Sequence, residues 1–68
     1  MKVHINGEER DVPASLTVEA LLERLGIDPR KVAVELNLEI VPKSLYAQTG
    51  VEDGARMEIV HFIGGGVL

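Results

Sequence analysis

The residues best suited to chemistry stand at the end of the chain, where Val60-His61-Phe62-Ile63 runs into Gly64-Gly65-Gly66 and then Val67-Leu68. Glycine has no Cβ and loses more conformational freedom on ordering than any other residue, so three in a row make a thin, extendable arm. Such an arm can thread a narrow channel. Glycines at a chain end also suit a frayed terminus or a cloning remnant, and it is the strand-like run before them that argues for more. They fit no phosphate-cradling pattern, because no helix follows them and no Lys-Ser or Lys-Thr pair accompanies them.

Other reactive constellations are absent from the sequence or incomplete. The only histidines, His4 and His61, fall on strands at positions read as outward-facing, and a metal site would need a third ligand beside them. No serine or threonine has a histidine placed for it by a local motif. Carboxylates such as Glu35 and Glu39, or Glu52 and Asp53, read as a solvated face, since paired acid/base catalysis needs a cleft that 68 residues are poorly able to build. With no cysteine there is no thiolate nucleophile and no disulfide. The expectation is a non-enzymatic protein that binds no metal or cofactor by itself.

Composition narrows the partners. Seven Lys and Arg against eleven Asp and Glu give a formal charge of -4, and the basic residues are scattered. That balance disfavours nucleic acid, as does the presence of a single Tyr and a single Phe for base stacking. Met1-Lys2-Val3-His4-Ile5-Asn6 lacks the apolar stretch of a signal peptide, and no apolar run approaches the roughly 20 residues of a membrane span. A cytoplasmic, acidic protein without membrane attachment is expected.

The elements that would position the arm follow from periodicity. Lys2-Val3-His4-Ile5-Asn6 alternates, with Val3 and Ile5 inward, and Asn6-Gly7 is a two-residue hairpin signal that returns Glu8 to Val12 antiparallel until Pro13 ends the pairing. Thr17 can cap a helix whose Val18, Leu21, Leu22 and Leu25 form one stripe, with Leu16 and Leu21 as a hydrophobic staple. Gly26 and Ile27 fit a Schellman ending, and Asp28-Pro29 closes it. Val32 to Asn37 alternates again, Glu39-Ile40-Val41 reads as a short edge strand before Pro42, and Lys43 to Gly50 reads as irregular. After a turn at Glu52-Asp53-Gly54, Met57 to Ile63 forms the last strand, with Met57 and Ile59 inward and Glu58, Val60 and Phe62 toward the other face. Hairpin, helix and further strands in this order predict an α+β roll of β-grasp type, with a mixed sheet of four to five strands on one helix. The domain is expected over residues 1–63, with 64–68 as a flexible tail. Its last strand lies beside the first, in the middle of the sheet.

Several stretches together resemble the ThiS family of sulfur carriers in thiamin biosynthesis: Thr17-Val18-Glu19-Ala20-Leu21-Leu22, Val32 to Asn37, Glu39-Ile40-Val41-Pro42, Val51-Glu52-Asp53-Gly54, and Val60 to Gly66. The resemblance runs over nearly the whole chain. It implies a ubiquitin-like carrier whose terminal Gly66 carboxylate is adenylated with ATP by a ThiF-type adenylyltransferase. Sulfur from a donor enzyme then replaces the adenylate, and the thiocarboxylate passes its sulfur to a ThiG-type thiazole synthase. On this likeness Gly66 carries the chemistry, Gly64 and Gly65 allow threading, and Val60, Phe62 and Ile63 form a partner-docking patch. The chain departs from the family pattern in continuing with Val67-Leu68, which keeps Gly66 in a peptide bond; cleavage, an expression remnant or a diverged role would each account for that. Two alternatives stay open: a carrier like the small subunit of molybdopterin synthase or another of this class, and a non-catalytic ubiquitin-like interaction module.

Overall fold

Alternation at the start of the chain produces a hairpin. In the computed structural model, which describes residues 1–62, β1 (Lys2–Ile5) and β2 (Glu8–Asp11) pair antiparallel with Lys2 opposite Asp11 and Ile5 opposite Glu8. Asn6 and Gly7 turn the chain with φ of 50° and 85°, the conformation that a tight I′ hairpin requires. Val3 and Ile5 are buried, whereas all four residues of β2 are exposed.

The helix begins and ends on the residues that mark it in the sequence. β3 (Leu16–Thr17) leads into α1 (Val18–Arg24), and the Thr17 hydroxyl accepts a hydrogen bond from the Ala20 N–H at 3.1 Å. A cap of this kind is worth about 1 kcal/mol. Gly26 adopts φ of 77°; its N–H donates to the Glu23 carbonyl at 3.0 Å and the Ile27 N–H donates to the Leu22 carbonyl at 2.9 Å, the paired bonds of a Schellman ending. Seven residues are too few to hold a helix alone, so its stability comes from the face that packs. Val18, Leu21 and Leu22 are completely buried.

That face lies on a five-stranded mixed sheet ordered β2-β1-β7-β4-β5, where β4 is Val32–Leu36, β5 is Glu39–Val41 and β7 is Arg56–His61. β7 runs parallel to β1 and antiparallel to β4. The last strand is therefore central, as expected, and Val3, Ile5, Val32, Val34, Val41, Met57 and Ile59 join the helix residues in one core. The other face of the sheet is open.

The stretch between β5 and β7 is more ordered than its sequence indicates. Lys43–Leu45 forms a 3-10 turn, and β6 (Gly50–Val51) pairs antiparallel with β3, Leu16 opposite Val51. Tyr46 is buried, and its hydroxyl donates to the Val32 carbonyl at 3.1 Å. Desolvation raises its pKa above the usual phenol value.

A second hairpin joins β4 to β5 through Asn37 and Leu38, with φ of 50° and 72°. Leucine in the left-handed region costs roughly 1–2 kcal/mol, and this side chain, 86% exposed, recovers little by packing. Leu38→Gly is expected to raise stability by up to about 1 kcal/mol in urea unfolding, because relief of that strain exceeds the extra backbone entropy that glycine loses on folding.

Candidate functional site at the root of the C-terminal arm

β7 is held by backbone bonding on both sides. Val60 lies opposite Ala33 and Glu58 opposite Glu35 on the open face, while Ile59 lies opposite Val34 on the core face. The Asn6 side chain adds two bonds to this strand, accepting from the Ile59 N–H at 2.7 Å and donating to the Ile59 carbonyl at 3.2 Å. A rigid strand thus delivers the chain to residue 62.

At that point two turns close on the root of the arm. The Phe62 N–H donates to the Lys31 carbonyl at 2.9 Å, continuing the β4–β7 ladder by one residue. Lys31 belongs to the 3-10 turn Pro29–Lys31, which Asp28 caps by accepting from the Arg30 N–H at 2.9 Å. The Arg30 guanidinium binds both Asp28 oxygens, at 3.1 and 2.8 Å. Hydrogen bonding from the Arg30 side chain, followed by that from its backbone, lowers the Asp28 pKa to about 2. A carboxyl depressed in the folded state stabilises above its ordinary value of 3.8 and loses that contribution as pH falls through about 2, so this platform is intact at neutral pH. From the opposite turn, the Lys43 ammonium donates to the Arg30 carbonyl at 2.7 Å and sits 4.5 Å from the centroid of the Phe62 ring.

The residues expected to matter separate into three groups. Val60 is 61% exposed on the open face, where Ile40, 71% exposed, also lies. Phe62 is half-buried and engaged by Lys43. Ile63, Gly64, Gly65 and Gly66 lie outside the described residues, as does the Val67-Leu68 extension. His61 is exposed, as expected, but not on the open face: it lies opposite Val32, on the same face as Met57 and Ile59, whose odd-numbered parity it shares, and that assignment is corrected. There it lines a cleft of about 300 Å³ with Leu25, Ile27 and Ile59. His4 takes the open face, in register with Glu9 and Arg56. Among the described residues no three His, Asp or Glu side chains are grouped to hold a metal ion, and no helix is long and apolar enough to cross a membrane. Lys43 was not distinguishable in sequence, because nothing local marks a lysine after Pro42 as a partner of a ring 19 positions later.

Comparison with known proteins now bears on this arrangement. The model of the ThiS family matches residues 3–66, which include the core, the root and the three glycines. This chain belongs to the ThiS family. It is 33% identical over 66 residues to the sulfur carrier protein ThiS of Escherichia coli, covering 97% of this chain and all of that one. The crystal structure of a thiamine biosynthesis protein (ThiS) from Geobacter metallireducens superposes with a TM-score of 0.84 at 36% identity, over 97% of this chain and 100% of the other. That likeness establishes the ThiS-like β-grasp fold. A thiazole synthase of Paramagnetospirillum magneticum is 71% identical over 66 residues, covering 97% of this chain, and the chain spans only a fifth of that protein's length. The family matched is ThiS, not that of the molybdopterin-synthase small subunit.

Proposed function

We propose that the chain is a sulfur carrier of thiamin biosynthesis whose working group is the carboxylate of Gly66. The observation that carries this reading is the placement of β7. A central strand fixed on both edges leads within a few residues to three glycines, in a chain of the ThiS family. Residues 1–63 act as the folded handle and 64–68 as the arm.

The chemistry explains the residue types. A carboxylate oxygen is a poor leaving group, so a ThiF-type adenylyltransferase first joins the Gly66 carboxylate to the α-phosphate of ATP and releases pyrophosphate. Sulfide-level sulfur released by a donor enzyme, HS−, then attacks the acyl carbon, and AMP departs with the oxygen. The resulting thiocarboxylate delivers sulfur to a ThiG-type thiazole synthase. The relatives named thiazole synthase, which include a region similar to this chain, support that last partner. All three steps take place in partner pockets in the cytoplasm; the carrier supplies no catalytic residue, and ATP is the partner's cosubstrate. Gly64 and Gly65 leave no side chain to obstruct either pocket, while Val60, Phe62 and Ile63 meet the partner's rim.

Adenylation requires a free carboxylate at Gly66, which the bond to Val67 withholds in the chain as written. The intact mass of the protein from its native cells tests the reading. A species ending at Gly66, with a fraction carrying sulfur in place of one oxygen, is the expected result. A native protein that retains residues beyond Gly66 and never shows a sulfur form would overturn it.

A further inference from the structure

The geometry points to Lys43 as the residue that fixes the root of the arm, and so positions the arm for the partner that activates it. This inference rests on the carrier reading above, although its structural half stands apart from it. The chain has eleven carboxylates among its side chains, yet Lys43 joins none of the ion pairs among the described residues, which are Lys2–Asp11, Arg10–Glu8 and Arg30–Asp28. It spends its charge on the Arg30 carbonyl and on the face of the Phe62 ring. Those two contacts bring the turn Lys43–Leu45 onto the turn Pro29–Lys31 and onto Phe62, the residue that leaves the sheet, which are otherwise joined by the bond from the Phe62 N–H to the Lys31 carbonyl. Beyond His61 the described backbone is held by one hydrogen bond, from the Phe62 N–H to the Lys31 carbonyl. Lys43 guards that bond by pinning the carbonyl before it and the ring attached to it.

The physical consequence is preorganisation. An arm whose root swings freely must be ordered when it enters a pocket, and that ordering weakens binding without touching the chemical step. With Phe62 clasped, the chain leaves the sheet from one defined point. Lys43 is thus a positioning residue, far in sequence from the glycines.

Hydrogen exchange of the Phe62 amide, followed by NMR on the full chain, tests this directly. Lys43→Met keeps the aliphatic stem and removes the charge; it is expected to speed Phe62 exchange about two- to fivefold, the scale of an exposed cation–π contact, while the core amides of Val34 and Met57 are unaffected. Lys43→Arg keeps a cation over the ring and is expected to restore the wild-type rate. Unchanged Phe62 exchange in Lys43→Met overturns the clasp. With chains ending at Gly66, a change that touches none of the described contacts, Lys43→Met is expected to raise the KM of the activating adenylyltransferase by a similar factor at constant kcat. Faster exchange with an unmoved KM overturns the positioning role. A wild-type chain that is never adenylated overturns the carrier reading instead, and Phe62 exchange still decides whether Lys43 holds the root.

Discussion

A Gly65→Val chain ending at Gly66 is expected to form acyl-adenylate at least about 100-fold more slowly than wild type, with its thermal unfolding unchanged. On the proposed reading the reacting carbonyl carbon, that of Gly66, lies one residue away, and a displacement on the order of 1 Å at a reacting centre costs about that factor. Valine also confines the backbone at the position where the arm must be thinnest. Stability is expected to be unaffected because, among the described residues, the core runs from Val3 to Ile59. Pyrophosphate release by the partner adenylyltransferase measures the first quantity and a melting curve the second. Activity within tenfold of wild type would show that the glycines are not required for threading.

The second large effect belongs to the handle. Leu21 is fully buried between helix and sheet. Leu21→Ala removes three carbons from a site that can collapse only in part, at a cost of about 2–5 kcal/mol. At about 0.05–0.15 kcal/mol per residue a chain of this size has roughly 3–10 kcal/mol in total. The variant should therefore lose much of its urea midpoint at 25 °C, and a substantial unfolded fraction is expected in water. A loss below about 1 kcal/mol would mean that the helix does not seat on the sheet through this residue.

Much of the handle was legible because its signals are local. Asn6-Gly7, the Thr17 cap and the Gly26-Ile27 ending each act within a few residues, and the alternation of Val3 with Ile5 or Val32 with Val34 reports a buried face directly. The β3–β6 pair was not legible, since two residues on each side carry no period. His61 was assigned to the wrong face although its parity with Met57 and Ile59 was available; it is exposed there all the same, on the rim of the cleft that it shares with Leu25 and Ile27. The Asn37-Leu38 hairpin hid behind a leucine where glycine is usual, with Asn37 its only marker. At the site, the open position of Val60 followed from strand parity. The engagement of Phe62 did not, because it depends on Lys43 and Lys31 arriving from two separate turns.

The position of β7 also bears on how the protein is made. The strand that completes the middle of the sheet is the last of the five to leave the ribosome, so β1 and β4 must wait, with a gap between them, until it has been synthesised. Domains of this kind cannot close sequentially from the N-terminus, and their non-local pairing slows folding. A chain truncated before Arg56 lacks its centre, not a peripheral strand, and remains a substrate for proteases.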